Sequence, residues 1–197
     1  SALGRQRRLN SVGESVLQIA PNAAAAYSLR SLTGGDPKVV RVRRDTGGGA
    51  GDNDEQDFTA SGISSGALVD FVGSGNDGFV ETWYDQSGNS NDVTQATAGS
   101  QPKIVNAGSL VTVGSRASFK FDGSSDFLER ETYTQGSLSQ PNTFFSVAEL
   151  DAYADENRKV YDGHVSTARN MLQLNTAGNG QFAHFAGLVA ATGEDAD

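Results

Sequence analysis

Hydrophobic and polar positions alternate most cleanly in residues 39–44, where Val40 and Val42 share one face and Arg41 and Arg43 the other. A period of two belongs to extended chain, so this run predicts a half-buried strand. Residues 79–84, Phe-Val-Glu-Thr-Trp-Tyr, are rich in β-branched and aromatic side chains and predict another. Shorter runs predict strands at 93–95, 103–105, 118–121, 143–150, 159–161, 171–174, 181–185 and 188–191, punctuated by Gly and Asn. A helical period appears over residues 65–72. There Ser65 can cap the start, Leu68, Phe71 and Val72 face the core, and Gly73 suits the left-handed position after the last turn. Residues 46–57 hold Gly, Asp and Asn with Ala50 as the apolar exception, which predicts a loop.

Residues 1–20 lack a strand pattern. Val12, Val16 and Ile19 stand at helical spacing, but the signal is short, and the segment reads as an arm that orders only against something else. Pro21-Asn22 breaks any helix before residues 23–32. The rest, residues 21–197, reads as one β-rich body. Many short strands with almost no helix predict an all-β fold, a sandwich with one short helix and an N-terminal arm.

Charge sharpens the division. The 197 residues carry a net charge of −9. Residues 1–44 hold 8 basic and 2 acidic groups, and residues 45–197 hold 7 basic and 22 acidic groups. An acidic body with a basic front end argues against nucleic acid as a partner. The arm, with Arg5, Arg7 and Arg8, is either a solvated segment or one that docks on an acidic neighbour such as another subunit. The chain has no Cys, which excludes disulfide scaffolds, Cys-based zinc sites and thiol nucleophiles. No apolar run approaches the roughly 20 residues of a membrane helix, so membrane insertion is not expected.

Four strings go beyond pattern. They are Ala26-Tyr-Ser-Leu-Arg30, Val40-Arg-Val-Arg-Arg44, Trp83-Tyr-Asp-Gln-Ser-Gly-Asn89 and Phe121-Asp-Gly-Ser-Ser-Asp-Phe-Leu128. In this order they resemble concanavalin A-like, or laminin-G-like, jelly-roll domains of bacteriophage tail, fibre and spike proteins. The third is also similar to a string in the catalytic domain of fungal α-L-arabinofuranosidase B. The resemblance spans about residues 24–130. It implies a jelly-roll sandwich in a virion component, a fibre, spike or decoration protein at the particle surface. Its expected partners are other virion subunits, copies of itself and host-surface polysaccharide. A purely structural part of the capsid or tail, and a glycoside hydrolase of arabinofuranosidase type, are the alternatives.

The same resemblance frames the candidate chemistry. Asp85, Asn89, Asn91 and Asp92 are oxygen donors within eight residues, with Asp122 and Asp126 offering more. Calcium takes six to eight oxygens and is carried at the rim of many laminin-G-like sandwiches, so it is the candidate ion; the same residues also suit a tight turn. For a glycan, Tyr133, Tyr153, Tyr161 and Phe182 are the candidate stacking side chains. For hydrolysis, a retaining glycosidase needs two carboxyl groups about 5–5.5 Å apart. The nearest counterpart of the arabinofuranosidase nucleophile run is residues 168–174, where Asn170 stands in place of the Glu. Asn cannot form a glycosyl ester, so the expectation is a protein that is not an enzyme. Glu81 and Glu149 remain as strand carboxylates without a reason to pair, and His164 and His184 suggest no triad. Gly34-Gly35 and residues 47–49 lack the Lys-Ser or Lys-Thr of a phosphate loop.

About 70 residues follow Leu128, room for roughly six strands and fewer than two full sheets take. This predicts either a longer protein or a neighbouring chain that covers an open sheet edge.

Overall fold

The computed structural model describes residues 16–19, 21–136, 143–149, 158–165, 168–175 and 181–188. Two compact units divide the chain, Ser1–Gln140 and Pro141–Asp197. Strands dominate both, and every pairing between named strands is antiparallel. Among the described residues three short α-helices and one 3-10 turn accompany them, where the sequence predicts a single helix.

The first unit is built on a six-stranded sheet. Its strands are β1 (Lys38–Asp45), β2 (Glu55–Thr59), β3 (Asp77–Trp83), β4 (Val93–Thr94), β5 (Lys103–Asn106) and β6 (Ser109–Leu110), ordered β2-β1-β3-β5-β6 with β4 also on β3. Two further strands, β7 (Thr112–Val113) and β8 (Arg116–Ala117), form a separate hairpin. The second of the strongest predicted strands therefore lies beside the first, with Val42 opposite Val80.

The core lies where these strands meet the helices α2 (Ala60–Ser64) and α3 (Ala67–Val72). Val39, Val40, Val42, Val80, Ile104 and Val105 are buried from the strands, and Ile63, Leu68 and Val72 from the helices. Gly78 marks the tightest contact. A Cβ there would stand 2.9 Å from Val72 Cγ2 and 3.1 Å from Val105 Cβ.

Several expectations need correction. Arg43 was placed on the solvent face, yet it is only 7% exposed. Its guanidinium lies over the Phe79 ring at 4.9 Å and donates to Gln101 Oε1 and Asn53 Oδ1, so the charge is buried with partners. The predicted loop over 46–57 contains most of β2. That strand buries Phe58 alone, and its polar residues pair across to β1, with Asp57 bonded to Lys38 and near Arg41. Cross-strand charge does here what alternating apolar residues do elsewhere, which is why the hydrophobic pattern missed it.

The helix predicted over 65–72 is α3, starting at Ala67, and α2 precedes it where no helix was predicted. Ser65 follows α2 instead of capping the start, and Gly66, at φ +91°, separates the two. Thr59 is the cap of the first, accepting from the Gly62 N–H. Leu68 and Val72 are buried as the spacing predicts, and Gly73 ends the helix at φ +85°. The predicted strand at 118–121 is reduced to a bridge between Lys120 and Lys103. At the front, α1 (Val16–Ile19) takes up two of the three helically spaced residues, and its Leu17 N–H donates to Leu32 O.

The second unit contains a meander, β9 (Arg158–Val165), β10 (Ala168–Asn175) and β11 (Gln181–Leu188), with β10 in the middle. The two strands predicted at 181–185 and 188–191 are one as far as Leu188, and 189–191 lie outside the described residues. Residues 143–149, predicted as a strand, form none. Their backbone finds no ladder partner among the described residues, and an apolar alternation makes a strand only where a neighbour supplies the other half of the hydrogen bonds.

Candidate functional site

Strand β3 ends at Trp83, and the chain then turns through Tyr84–Asp92 without regular structure. The turn is held from inside. Asp85 Oδ1 accepts from the Ser87 N–H, Asp85 Oδ2 accepts from the Asn91 N–H and the Ser87 hydroxyl, and Asp92 Oδ1 accepts from the Asp85 N–H. A short acceptor side chain that bonds backbone donors two to seven residues away replaces the ladder a strand would have used.

The same turn reaches outward to residues 23–32, which have no helix or strand of their own. Asp85 Oδ1 accepts from the Ala26 N–H at 2.8 Å, and the Gln86 N–H donates to Ala26 O. The Gln86 side chain is 6% exposed and makes three bonds, accepting from the Leu32 N–H and donating to Ser28 O and Arg30 O. Asn89 Nδ2 donates to Ala23 O and Ala24 O, and Asn91 Nδ2 to Ala24 O. Gln135 and Thr134 close the cluster, the first bonded to Asn91 and Ala24, the second to Asn89 and Asn91. Almost every bond goes to main-chain atoms of 23–32, so the turn works as a clasp on an irregular segment whose polar backbone must find partners.

An aromatic row backs the clasp. Tyr27 lies 5.3 Å from Trp83, Trp83 meets Phe119 edge-on at 4.8 Å, and Phe119 meets Phe121 at 5.5 Å. The Tyr27 hydroxyl donates to Asn91 O, while Trp83 Nε1 is buried without a partner among the described residues. Burial, with Tyr133 and the Asp85 carboxylate nearby, pushes the Tyr27 hydroxyl well above the ordinary tyrosine range. Phe121 and Phe127, at 44% and 45% exposed, flank a turn pinned by Asp122. Its carboxylate accepts from the N–H groups of Ser124, Ser125 and Asp126, which hold it below the usual carboxylate range.

The structure brings the four calcium candidates, Asp85, Asn89, Asn91 and Asp92, into this one turn. Both Asp85 oxygens, Asp92 Oδ1 and Asn91 Oδ1 accept from N–H groups, and both amide nitrogens donate to carbonyls. Among the described residues no group of three or more His, Asp or Glu is disposed to hold a metal. The described stacking candidates belong to different units. Tyr133 sits by Tyr27 in the first unit, half-buried. Tyr161 is on β9 in the second unit, stacked on Phe144 at 4.7 Å, and Phe182 is on β11 opposite Leu174. Tyr153 and the arm residues Arg5, Arg7 and Arg8 lie outside the described residues. Asn170, on β10, stands between Gly163 and Ala186 in register. His164 lies opposite Arg169 and His184 opposite Leu172.

Sequence reading missed Gln86, Tyr27 and Gln135 as members of the cluster. Gln86 was legible in principle, because it sits inside the quoted Trp83–Asn89 string; Gln135, 44 residues beyond Asn91, carried no signal. No helix among the described residues is long and apolar enough to cross a membrane. Comparison with known protein families, curated proteins and solved structures finds no match for the chain, so its site is defined by this geometry alone.

Proposed function

We propose that the chain is a surface component of a bacteriophage particle, a fibre, spike or decoration protein that holds host-surface glycans. In this reading the six-stranded sheet is part of a concanavalin A-like jelly-roll sandwich. One observation carries it. The four strings that resemble such domains pack into one another within a single unit. Ala26 is bonded to Asp85, β1 lies beside β3, and the row Tyr27–Trp83–Phe119–Phe121 joins three of the strings. Strings scattered by chance over a hundred residues have no reason to share one network.

A glycan array and binding to host cells test the reading, with the full chain as probe. Retention of bacterial surface polysaccharide supports it, and absence of retention on both refutes it. Release of reducing sugar from the same polysaccharides establishes a hydrolase instead. A purely structural role in assembly is the second reading. It is favoured by Phe121 and Phe127, half-exposed apolar rings on a rigid turn that a neighbouring subunit could cover. Removing residues 1–20 tests the arm as an assembly element. The body should stay folded and particle incorporation should fail.

A further inference from the structure

A shallow, open cavity of about 420 Å³ lies at the surface where three connections of the first unit meet. Asp45, Thr46 and Gly47 line it from the end of β1, Gly75, Asn76 and Asp77 from the start of β3, and Asn106 and Ala107 from the end of β5. No candidate residue discussed above belongs to it.

Its walls are locked to one another. Asp45 and Asp77 stand opposite in the β1–β3 register. The Ala107 N–H donates to Asp77 Oδ1 at 2.7 Å, the Gly108 N–H to Asn76 O at 2.7 Å, and Asn76 Nδ2 to Val72 O at 2.9 Å. Gly108, at φ +78°, lets two turns touch, since a Cβ there would stand 2.8 Å from Gly75 N. Little ordering is therefore left for a ligand to impose, which favours binding.

The chemistry of the lining selects the ligand. Two carboxylates are matched by two cations, Asp77 with Lys103 at 2.7 Å and Asp45 with Arg43 at 3.6 Å. The site thus offers no net charge for an anion. A divalent cation fits no better. Both Asp77 oxygens are engaged and Asp45 Oδ1 accepts from the Gly47 N–H, which leaves one carboxylate oxygen where calcium wants six to eight ligands. What remains is a mixed set of neutral-ligand partners. Asn76 Oδ1 can accept and Asn106 Nδ2 can donate, with no hydrogen bond of their own among the described residues, and Asp45 Oδ2, paired with Arg43 only at 3.6 Å, can accept as well. Vicinal hydroxyls both donate and accept, and the cavity lies in the size range of small-molecule sites.

We infer that this cavity is a subsite for a neutral saccharide, held by Asp45, Asn76 and Asn106 at the end of the sheet. The inference rests on the glycan-binding reading and names its site. With no aromatic ring in the lining, a single sugar is held weakly, and display of many copies supplies the avidity.

The test uses the full chain on an array of multivalent neutral oligosaccharides and bacterial surface polysaccharides, beside a variant carrying Asp45→Ala and Asn106→Ala. The double variant should lose at least tenfold in apparent affinity at an unchanged melting temperature. Binding equal to that of the unaltered chain overturns the subsite and leaves the glycan reading standing. An unaltered chain that retains no saccharide overturns both. Should the double variant melt early, Asn106→Ala alone, at the exposed end of β5, must still weaken retention. Calorimetric titration with calcium should give no saturable heat; a heat abolished by Asp45→Ala assigns the cavity to a cation and overturns the saccharide.

Discussion

Gln86→Ala is the sharpest test of the clasp. The amide is nearly enclosed and bonds to Leu32 N, Ser28 O and Arg30 O at 2.8, 2.9 and 3.0 Å. Truncation leaves one donor and two acceptors without partners in a half-buried setting. At about 1 kcal/mol net for each bond, the loss is about 3 kcal/mol. Native domains are stable by only about 5–15 kcal/mol, so a large share of the total is at stake. With a urea slope of about 2 kcal/mol per molar, the midpoint should fall by roughly 1.5 M. Trp83 is the only tryptophan and contacts Tyr27, so its fluorescence reports the unfolding. Hydrogen exchange at the Leu32 amide should accelerate in the variant. A midpoint drop below about 0.3 M, with Leu32 exchange unchanged, would show that water replaces the amide without cost and would refute the reasoning. Gln86→Glu adds a sign. The introduced carboxylate faces two carbonyl oxygens, which raises its folded pKa above the unfolded value of about 4.3. Relative to the unaltered chain, the variant should therefore be most stable below pH 4, lose that stability as pH rises from there to the folded pKa, and then level off.

Leu68→Ala, at a fully buried helix position, should cost about 2–5 kcal/mol in urea unfolding, and a cost below 1 kcal/mol would place the core elsewhere. Gly108→Ala should cost at least about 1–3 kcal/mol, because it combines a strained φ with a backbone clash, whereas Gly99→Ala, with open space around it, should stay within about 0.5 kcal/mol; equal melting temperatures would contradict the turn packing. Burial alone raises the Asp57 pKa, but hydrogen bonds from Lys38 and Tyr84 and the charge of Arg41 outweigh it and hold the carboxyl below its usual range. Its contribution is thus present above about pH 4 and lost as pH falls through the folded value, and Asp57→Asn should flatten the stability profile between pH 4 and 2, measured by urea midpoints.

What could be read from the residues follows from where hydrophobicity carries the information. Val40 and Val42 announced β1, and Leu68 and Val72 announced the buried side of α3, because apolar side chains at a regular period have one low-energy place to go. β2 was hidden because Glu55 and Asp57 earn their place by charge against Arg41 and Lys38, a relation visible only after the strands are paired. α2 carried no helical period of its own, and Gly66, in a left-handed backbone, delays the start of the predicted helix to Ala67. The clasp was half legible. Asp85, Ser87 and Asn89 read as turn formers from their own chemistry, but their partners, the Ala26 N–H for Asp85 and the carbonyls of Ala23 and Ala24 for Ser87 and Asn89, lie about 60 residues away and leave no mark on the sequence. The cavity around Asp45 is hidden for the same reason, because its three walls come from separate connections.

The clasp also determines how the front of the chain would respond to tension. Its contacts with residues 23–32 run in order along the segment: Asn89 and Asn91 hold Ala23 and Ala24, Asp85 and the Gln86 backbone hold Ala26, and the Gln86 side chain holds Ser28 through Leu32. A pull applied ahead of Pro21 loads the first pair before the last, so the segment peels from its front end, against the packing of Tyr27 on Trp83 and the burial of Leu29 in the core. The peeling stops short of β1, since Asp36 is bonded to Ser61 and the strand beyond it is paired on both sides. The stretch ahead of Leu29, which is anchored in the core, is thus a short leash that lengthens under load and leaves the sheet behind it intact.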